Sequence, residues 1–350
     1  MIQDILVKAV ENNASDVFIS AGKELCYKIN NEIIPNSIED LTITDTQNLI
    51  TKLYELAHRD INIFKNERDD DFSLSIPGTA RFRINTYFQR GSMATVIRVV
   101  KFGLPDCDVL NIPDSVMDIS KLTRGLALIT GPAGSGKSTT LACIIDKINS
   151  TRKSHIITIE DPIEYLHRNK LGIVSQRELS MDTHSYIKAL RASLREAPDV
   201  ILVGEMRDLE TIRAAITAAE TGHLVLSTLH TLGAANTIDR IIDMFPPEQQ
   251  QQIRVELAQV LKGVVSQQLL PVITEDGVIP AFEVMNTNNA IKTLIRENRI
   301  HQIDSSIQTG AMNGMISMDD SILNLYKNGK ISKETAIYHS VNTEQIKKKL

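Results

Sequence analysis

The segment Gly131-Pro132-Ala133-Gly134-Ser135-Gly136-Lys137-Ser138-Thr139 follows directly on the apolar run Leu126-Ala-Leu-Ile-Thr130. Glycines at 131, 134 and 136 allow backbone N–H groups to turn inward and form an anion-binding concavity, and a lysine and a hydroxyl residue follow at phosphate-loop spacing. A helix from Lys137 to about residue 147 would aim the positive end of its dipole at the same point. Lys137 then reaches the β- and γ-phosphates of a nucleoside triphosphate, and the Ser138 hydroxyl ligates Mg²⁺. No Asn-Lys-x-Asp run follows downstream to read a guanine base, so the expected substrate is ATP.

Other segments can surround a bound triphosphate if the strands between them are parallel, because ligands bind at the carboxyl ends of such strands. Thr158-Ile-Glu160-Asp161-Pro-Ile-Glu164 is an acidic cluster at the end of an expected strand. Its carboxylates could hold the Mg²⁺ water shell or orient the attacking water, or simply form a solvated turn. Val200-Ile-Leu-Val-Gly204-Glu205-Met-Arg207-Asp208 is a buried apolar strand with a carboxylate at its tip, although glycine stands where an aspartate often does. Glu205 is the leading candidate for polarising water and Glu164 its competitor. Mg²⁺, besides Ser138, is expected to be contacted through water by Glu160 or Glu205.

Thr221-Gly-His223-Leu-Val-Leu-Ser-Thr228-Leu-His230-Thr231 brackets a strand with two histidines. Their odd separation would put them on opposite faces of a continuous strand, so no shared metal is expected, and the favoured role is γ-phosphate sensing and subunit contact. Positive charge for the developing phosphoryl group is available from Arg81, Arg83, Arg90 and Arg98 early in the chain and from Arg191, Arg195, Arg207 and Arg213 later. Arg81-Phe-Arg83-Ile alternates so that both guanidinium groups share one sheet face. That pair, with Arg98, is the candidate for an arginine supplied to a neighbouring site.

These groups need elements to place them. At 350 residues with 42% hydrophobic content the chain can bury two cores, so two domains are expected. Ile2, Ile5, Leu6, Ala9 and Val10 make a helical stripe over 2–12. Strand-like patterns follow over 16–34, then a helix over 44–56 behind a Thr44 cap. Phe72-Ser-Leu-Ser-Ile, residues 81–88 and residues 93–100 alternate as strands around Pro77-Gly78. Residues 1–100 therefore read as a small α+β domain with a mostly antiparallel sheet. Residues 101–115, with Gly103, Pro105 and Pro113, read as a linker.

From 116 to 350 strands alternate with helices: 126–130 and the helix after Lys137, 155–159 and 183–195, 200–203 and 209–221, 223–228 and 233–242. That alternation predicts an α/β domain with a parallel sheet covered on both faces, a RecA-like P-loop NTPase arrangement. Beyond Pro247 the expectation is mainly helix, with one hairpin around Glu275-Asp-Gly277 and a helix carrying Gln249–Gln252.

Composition narrows the function classes. A net charge of −5 argues against a dedicated nucleic-acid binder. No apolar run approaches the roughly 18 residues that span a bilayer, and Asp4 and Lys8 interrupt the N-terminal apolar pattern, so a soluble cytoplasmic protein without a signal peptide is expected. Cys26, Cys107 and Cys143 lack Cys-x-x-Cys spacing, so neither zinc nor a disulfide framework is expected and they read as buried or incidental thiols. A DNA translocase with the same loop should carry a basic pore. A scaffold that binds ATP without turning it over would not need Lys137, Ser138 and Glu205 together.

Taken together, these motifs resemble the secretion and pilus ATPase superfamily, and within it the type IV pilus retraction motors of the PilT type, over nearly the whole chain. The likeness rests on Asn13-Ala-Ser-Asp16, Phe72-Ser-Leu-Ser-Ile-Pro-Gly78 with Arg81-Phe-Arg83, the loop 131–140, the acidic run 158–164, Gly204-Glu205-Met-Arg207-Asp208 and the two histidines. Asn289-Ala-Ile-Lys-Thr-Leu-Ile-Arg-Glu297 is similar to a retraction-type motif written Ala-Ile-Arg-Asn-Leu-Ile-Arg-Glu, and Ser306-Ile-Gln-Thr-Gly310 follows it. Lys292 departs from that motif's first arginine, and the Tyr27–Glu32 hairpin lacks an arginine often found there. Without zinc-type cysteines or a long N-terminal extension, the chain resembles the retraction motors more than the pilus-assembly or type II secretion ATPases.

The resemblance implies a smaller PAS-like N-terminal domain, a RecA-like C-terminal domain and a homo-hexameric ring that clamps ATP between subunits. It also implies hydrolysis to ADP and phosphate to power pilus retraction and twitching motility. The implied location is cytoplasmic and peripheral, at the inner face of the plasma membrane, with an inner-membrane pilus platform protein as partner. Within 289–297, Ala290, Ile291, Leu294 and Ile295 form a packing stripe, and Lys292, Arg296 and Glu297 remain for a partner.

Overall fold

The computed structural model describes every residue except 1, 31, 102, 105 and 274–276. It divides the chain into two units, Met1–Gly103 with Glu164–Leu166 and Leu104–Ile163 with His167–Leu350. Residues 104–115, expected as linker, thus group with the second unit.

In the first unit, α1 (Ile2–Glu11) precedes β1 (Asp16–Ile19), β2 (Cys26–Ile29) and β3 (Glu32–Pro35). Next come α2 (Ile43–Leu56), α3 (Ile61–Glu67), β4 (Asp69–Ile76), β5 (Ala80–Gln89) and β6 (Ser92–Lys101). The strands form one antiparallel sheet in the order β3-β2-β1-β6-β5-β4. The cap of α2 is Thr42, not Thr44: its hydroxyl accepts from the Asp45 N–H while the Asp45 carboxylate accepts from the Thr42 N–H, a reciprocal pair that Thr44 cannot make from inside the helix.

Alternation in β5 sends Ala80, Phe82 and Ile84 into a core shared with Leu6 of α1 and Ile50 and Leu53 of α2. Arg81 and Arg83 take the opposite face. Arg98 of β6 stands directly across from Arg83, so the three candidate arginines share that face. Like charges so placed repel. Arg83 is answered by Asp71 at 2.7 Å and Arg98 by Asp16 at 3.1 Å, while Arg81 donates to Ser75 Oγ.

The second unit opens with the short helix α4 (Asp114–Met117) and alternates β7 (Gly125–Thr130), α5 (Lys137–Thr151), β8 (His155–Glu160), β9 (Ile173–Glu178), α6 (Tyr186–Ser193), β10 (Val200–Val203), α7 (Leu209–Glu220), β11 (Leu224–Leu229), α8 (Ala234–Asp243) and α9 (Pro247–Val260). The long strands β12 (Leu261–Pro271) and β13 (Val278–Asn286) follow, then α10 (Asn289–Arg296), α11 (Ile303–Thr309), α12 (Met318–Lys327), α13 (Lys333–His339) and α14 (Thr343–Lys349). The sheet order is β13-β12-β7-β11-β10-β8-β9, parallel except for β13.

Successive residues of the buried strands feed two cores. Ala127 and Ile129 pack on α5 through Leu141, Ile144 and Ile148. Leu126 and Leu128 pack on the layer containing α6 to α9.

Several expectations need correction. The region after Pro247 is less helical than its pattern suggests: β12 and β13 form a hairpin whose first strand extends the parallel sheet beside β7. Glu275 and Asp276 of its expected turn lie outside the described residues. Between residues 160 and 183 an additional strand, β9, pairs with β8. Its half-buried mix of Ser175, Gln176 and Arg177 hides the apolar signal of an interior strand.

Cys107 and Cys143 are not separate thiols but a disulfide, their Cα atoms 5.7 Å apart, because the turns after Gly103 fold back over α5, where Ile112 also packs. Cys26 is a buried free thiol. In α10 the buried stripe is Ile291, Leu294 and Ile295, while Ala290, in the first turn, is exposed.

Candidate active site

The phosphate loop is built where β7 ends. Gly131 has φ +141°, and a Cβ there would come within 2.2 Å of the Gln267 carbonyl oxygen and 2.7 Å of Ser135 Oγ. Gly136, at φ +87°, is the left-handed residue from which α5 starts. The Lys137 ammonium is folded back across the loop and donates to the carbonyls of Gly131 and Pro132, both at 2.8 Å. Among the described residues, the buried Ser135 Oγ finds no hydrogen-bond partner. A tight loop with no room for a side chain at Gly131, a lysine held by two loop carbonyls and a buried hydroxyl together suit a phosphate group.

Parallel register brings further groups to this edge. Thr130 pairs with Leu229, Val203 with Ser227, and Ile159 with Val203, so the residues just beyond these strands collect on one side of the sheet. They are Gly131, His230 and Glu205, joined by Glu160, the last residue of β8. Glu205 is buried, and each of its carboxylate oxygens has a partner: Oε1 the guanidinium of Arg207, Oε2 the His230 ring at Nε2, 3.2 Å away. The Arg207 contact raises the arginine pKa further, so its charge is constant. Glu160 Oε1 accepts from Thr158 Oγ1 at 2.6 Å and Gln176 Nε2 at 3.1 Å.

The glycine preceding Glu205 has a local cause. A Cβ on Gly204 would lie 3.0 Å from the Tyr186 hydroxyl and 3.2 Å from the Ile159 carbonyl oxygen, so a side chain there would crowd this tyrosine and require it to give by a few tenths of an ångström. Burial, reinforced by the Asp161 and Glu205 carboxylates, pushes the Tyr186 phenol up, and it stays protonated at neutral pH.

The expected site residues do not all meet. Lys137, the loop 131–139, Glu160, Glu205 and His230 share the edge. His223 does not: it precedes β11, at the far end of the strand from His230, and its Nδ1 is engaged with Thr221 and the Ala218 carbonyl, so it stands apart from the phosphate loop of its own chain. Glu164 is exposed and belongs with the first unit, as do Arg81, Arg83 and Arg98. Among the described residues no group of three His, Cys, Asp or Glu side chains could hold a metal ion by itself.

Sequence reasoning listed Arg207 among many arginines and passed over Tyr186, Thr140 and Gln267. Gln267 had a readable signal: Ser266-Gln267-Gln268 is a polar run inside an otherwise apolar buried strand, a pattern that calls for specific partners.

Comparison with other proteins agrees with this architecture. The family model for type II/IV secretion system proteins matches residues 1–349. A Pseudomonas aeruginosa protein described as the type IV pilus retraction ATPase PilT is 42% identical over 335 residues, covering 96% of this chain and 96% of its own length. A Neisseria gonorrhoeae twitching motility protein is 43% identical over 310 residues, 89% of this chain and 82% of that one. The solved structure of the pilus retraction motor PilT with bound ADP superposes with a TM-score of 0.90 at 44% identity, covering 99% of this chain and 98% of that one. The chain belongs to the type II/IV secretion system protein family.

Crowding at Gly204 gives a direct test of the geometry. Gly204→Ala should destabilise the protein by about 1–3 kcal/mol through overpacking. Adding Tyr186→Phe, which removes the nearest crowding atom, should recover about 1 kcal/mol of that loss in denaturant titrations. Strict additivity of the two changes would show that Tyr186 does not press on this position.

Proposed function

We propose that this chain is the subunit of a motor that hydrolyses ATP to ADP and phosphate and uses the energy to retract type IV pili, as its Pseudomonas relative is described. The observation that carries the chemistry is the phosphate loop and the doubly held Glu205 carboxylate on one edge of a parallel sheet. In this reading the loop N–H groups and the start of α5 bind the β-phosphate, and Lys137 exchanges its two carbonyl partners for β- and γ-phosphate oxygens. Glu205 orients the attacking water and receives its proton. Arg207 and His230 keep the carboxylate from turning away, and His230 lies beside the position where the γ-phosphate is present or lost.

The residues also fit Mg²⁺ that arrives with the nucleotide, since such ions are bound mainly by substrate phosphates and water. Ser138 would ligate it directly, and Glu160 or Glu205 through water, to neutralise charge on the β- and γ-oxygens. Glu164 is the alternative base, and hydrolysis with Glu205 neutralised would favour it.

A ring hexamer is the proposed working unit. Its support is the gathering of Arg81, Arg83 and Arg98 on one face of the first unit, where they could complete the site of a neighbouring subunit. The proposed place of action is the cytoplasmic side of the plasma membrane, against an inner-membrane platform protein. Among the described residues no helix is long and apolar enough to cross a membrane. In α10, exposed Arg296 and the adjacent Glu297 are the groups offered to that partner.

Lys137→Ala should leave the fold intact by circular dichroism and abolish phosphate release. In cells whose own motor is replaced by this variant, twitching should stop and pili should accumulate. Turnover within about twofold of the wild type would contradict the assignment, because the loop lysine carries much of the charge stabilisation in such sites. Normal turnover by the wild-type chain without restored twitching would point instead to pilus assembly or secretion.

The arginines are tested by mixing subunits. Lys137→Ala chains retain their arginines, and Arg81→Ala/Arg83→Ala chains retain their loops. Rings containing both should recover part of the activity that neither has alone, as arginines supplied in trans are worth about 10³–10⁵ in rate. No recovery in verified mixed rings would place the arginines in cis or outside the chemistry.

A further inference from the structure

Ser266 and Gln267 are consecutive on β12 and so face opposite sides of the sheet. On the α5 side, the buried Gln267 side chain accepts a hydrogen bond from Thr140 Oγ1 at 2.8 Å. Its Nε2 lies 2.9 Å from where a Cβ on Gly136 would stand, and its main-chain oxygen is the atom that forbids a side chain at Gly131. Thr140 closes the first turn of α5, its N–H donating to the Gly136 carbonyl at 3.0 Å. Gln267 thus touches both ends of the phosphate loop and the turn that carries Lys137.

On the other side, the fully buried Ser266 Oγ accepts from the Gly233 N–H at 2.9 Å, where the loop that begins at His230 enters α8. Ser266 also pairs in register with Thr130, the last residue before the phosphate loop. Buried polar side chains on an interior strand cost stability unless their partners are met, and here the partners met are the two loops of the site.

We propose that Ser266 and Gln267 are positioning residues for ATP hydrolysis: Gln267 sets the phosphate loop and the first turn of α5 for nucleotide binding, and Ser266 sets the His230 loop for turnover. The division of labour follows from the two faces. Gln267 supports groups that hold phosphate in both ATP and ADP, so its loss weakens binding. The Ser266 hydroxyl, unlike its backbone, bonds only the His230 loop, on the side that would meet the γ-phosphate and water, so its loss slows turnover while ADP binding is kept. The proposal rests on the ATPase reading above.

The test uses full-length protein, equilibrium binding of fluorescently labelled ADP and steady-state phosphate release. Gln267→Met and Thr140→Val should each weaken ADP binding about tenfold, the scale of one buried hydrogen bond, and the double variant should be within about twofold of either single one because both remove the same bond. Ser266→Ala should bind ADP within about twofold of the wild type and lose about tenfold in kcat.

ADP binding by Gln267→Met within about twofold of the wild type would overturn the proposal, as would Ser266→Ala weakening ADP as much as Gln267→Met does. Should Gln267→Met fail to fold, the near-isosteric Thr140→Val decides the same question: unchanged ADP binding there removes the role of Gln267. Wild-type protein that bound no ADP would overturn the ATPase reading, and this proposal with it.

Discussion

Parallel pairing of β8, β10, β11 and β7 is the constraint on which the rest of the second unit depends. Because these strands run the same way, their carboxyl ends fall on one edge, and residues separated by as much as the interval from Gly131 to His230 become neighbours. Such a sheet must be covered on both faces, and the apolar strands with α5 on one side and α6 to α9 on the other meet that need. The active edge is therefore polar, while the sheet behind it is closed to water. A reversal of any one strand would send its terminal carboxylate or histidine to the opposite end of the domain, as the placement of His223 illustrates.

On that edge the dominant electrostatic feature is Glu205. A buried carboxylate with neither partner would be costly, and Arg207 and His230 each engage one of its oxygens. The arrangement fixes the carboxylate plane, and in the proposed mechanism that would reduce reorganisation in the reaction. Lys137 shows the complementary device. Its ammonium is buried against two carbonyls of its own loop, contacts that the proposed mechanism exchanges for phosphate oxygens.

Much of this was legible in the sequence because the carrying signals are local. The glycines, Lys137 and the preceding apolar run announce the loop and its helix, and the alternation of strands and helices announces the parallel sheet. Glu205 was readable as the polar tip of an apolar strand. What escaped was set by long-range packing. The Cys107–Cys143 disulfide depends on how residues 104–115 fold back, the cap at Thr42 on a reciprocal bond with Asp45, and the strand character of β12 on pairing with β7. The two histidines were legible as the brackets of β11, and what escaped was that a parallel strand gives only its carboxyl end, with His230, to the loop's edge. Gly204 looked like a departure from a motif, and Tyr186, distant in sequence, crowds the space a side chain would take there.

The most direct test of the proposed chemistry is a single-turnover measurement with Glu205→Gln, in which bound ATP and formed phosphate are followed in the same sample. If Glu205 orients the water, ATP binding stays within about twofold of the wild type and the hydrolysis step slows by about 10²–10⁴, with Glu164→Gln near normal. Hydrolysis by Glu205→Gln at close to the wild-type rate, or its loss only in Glu164→Gln, would contradict that role.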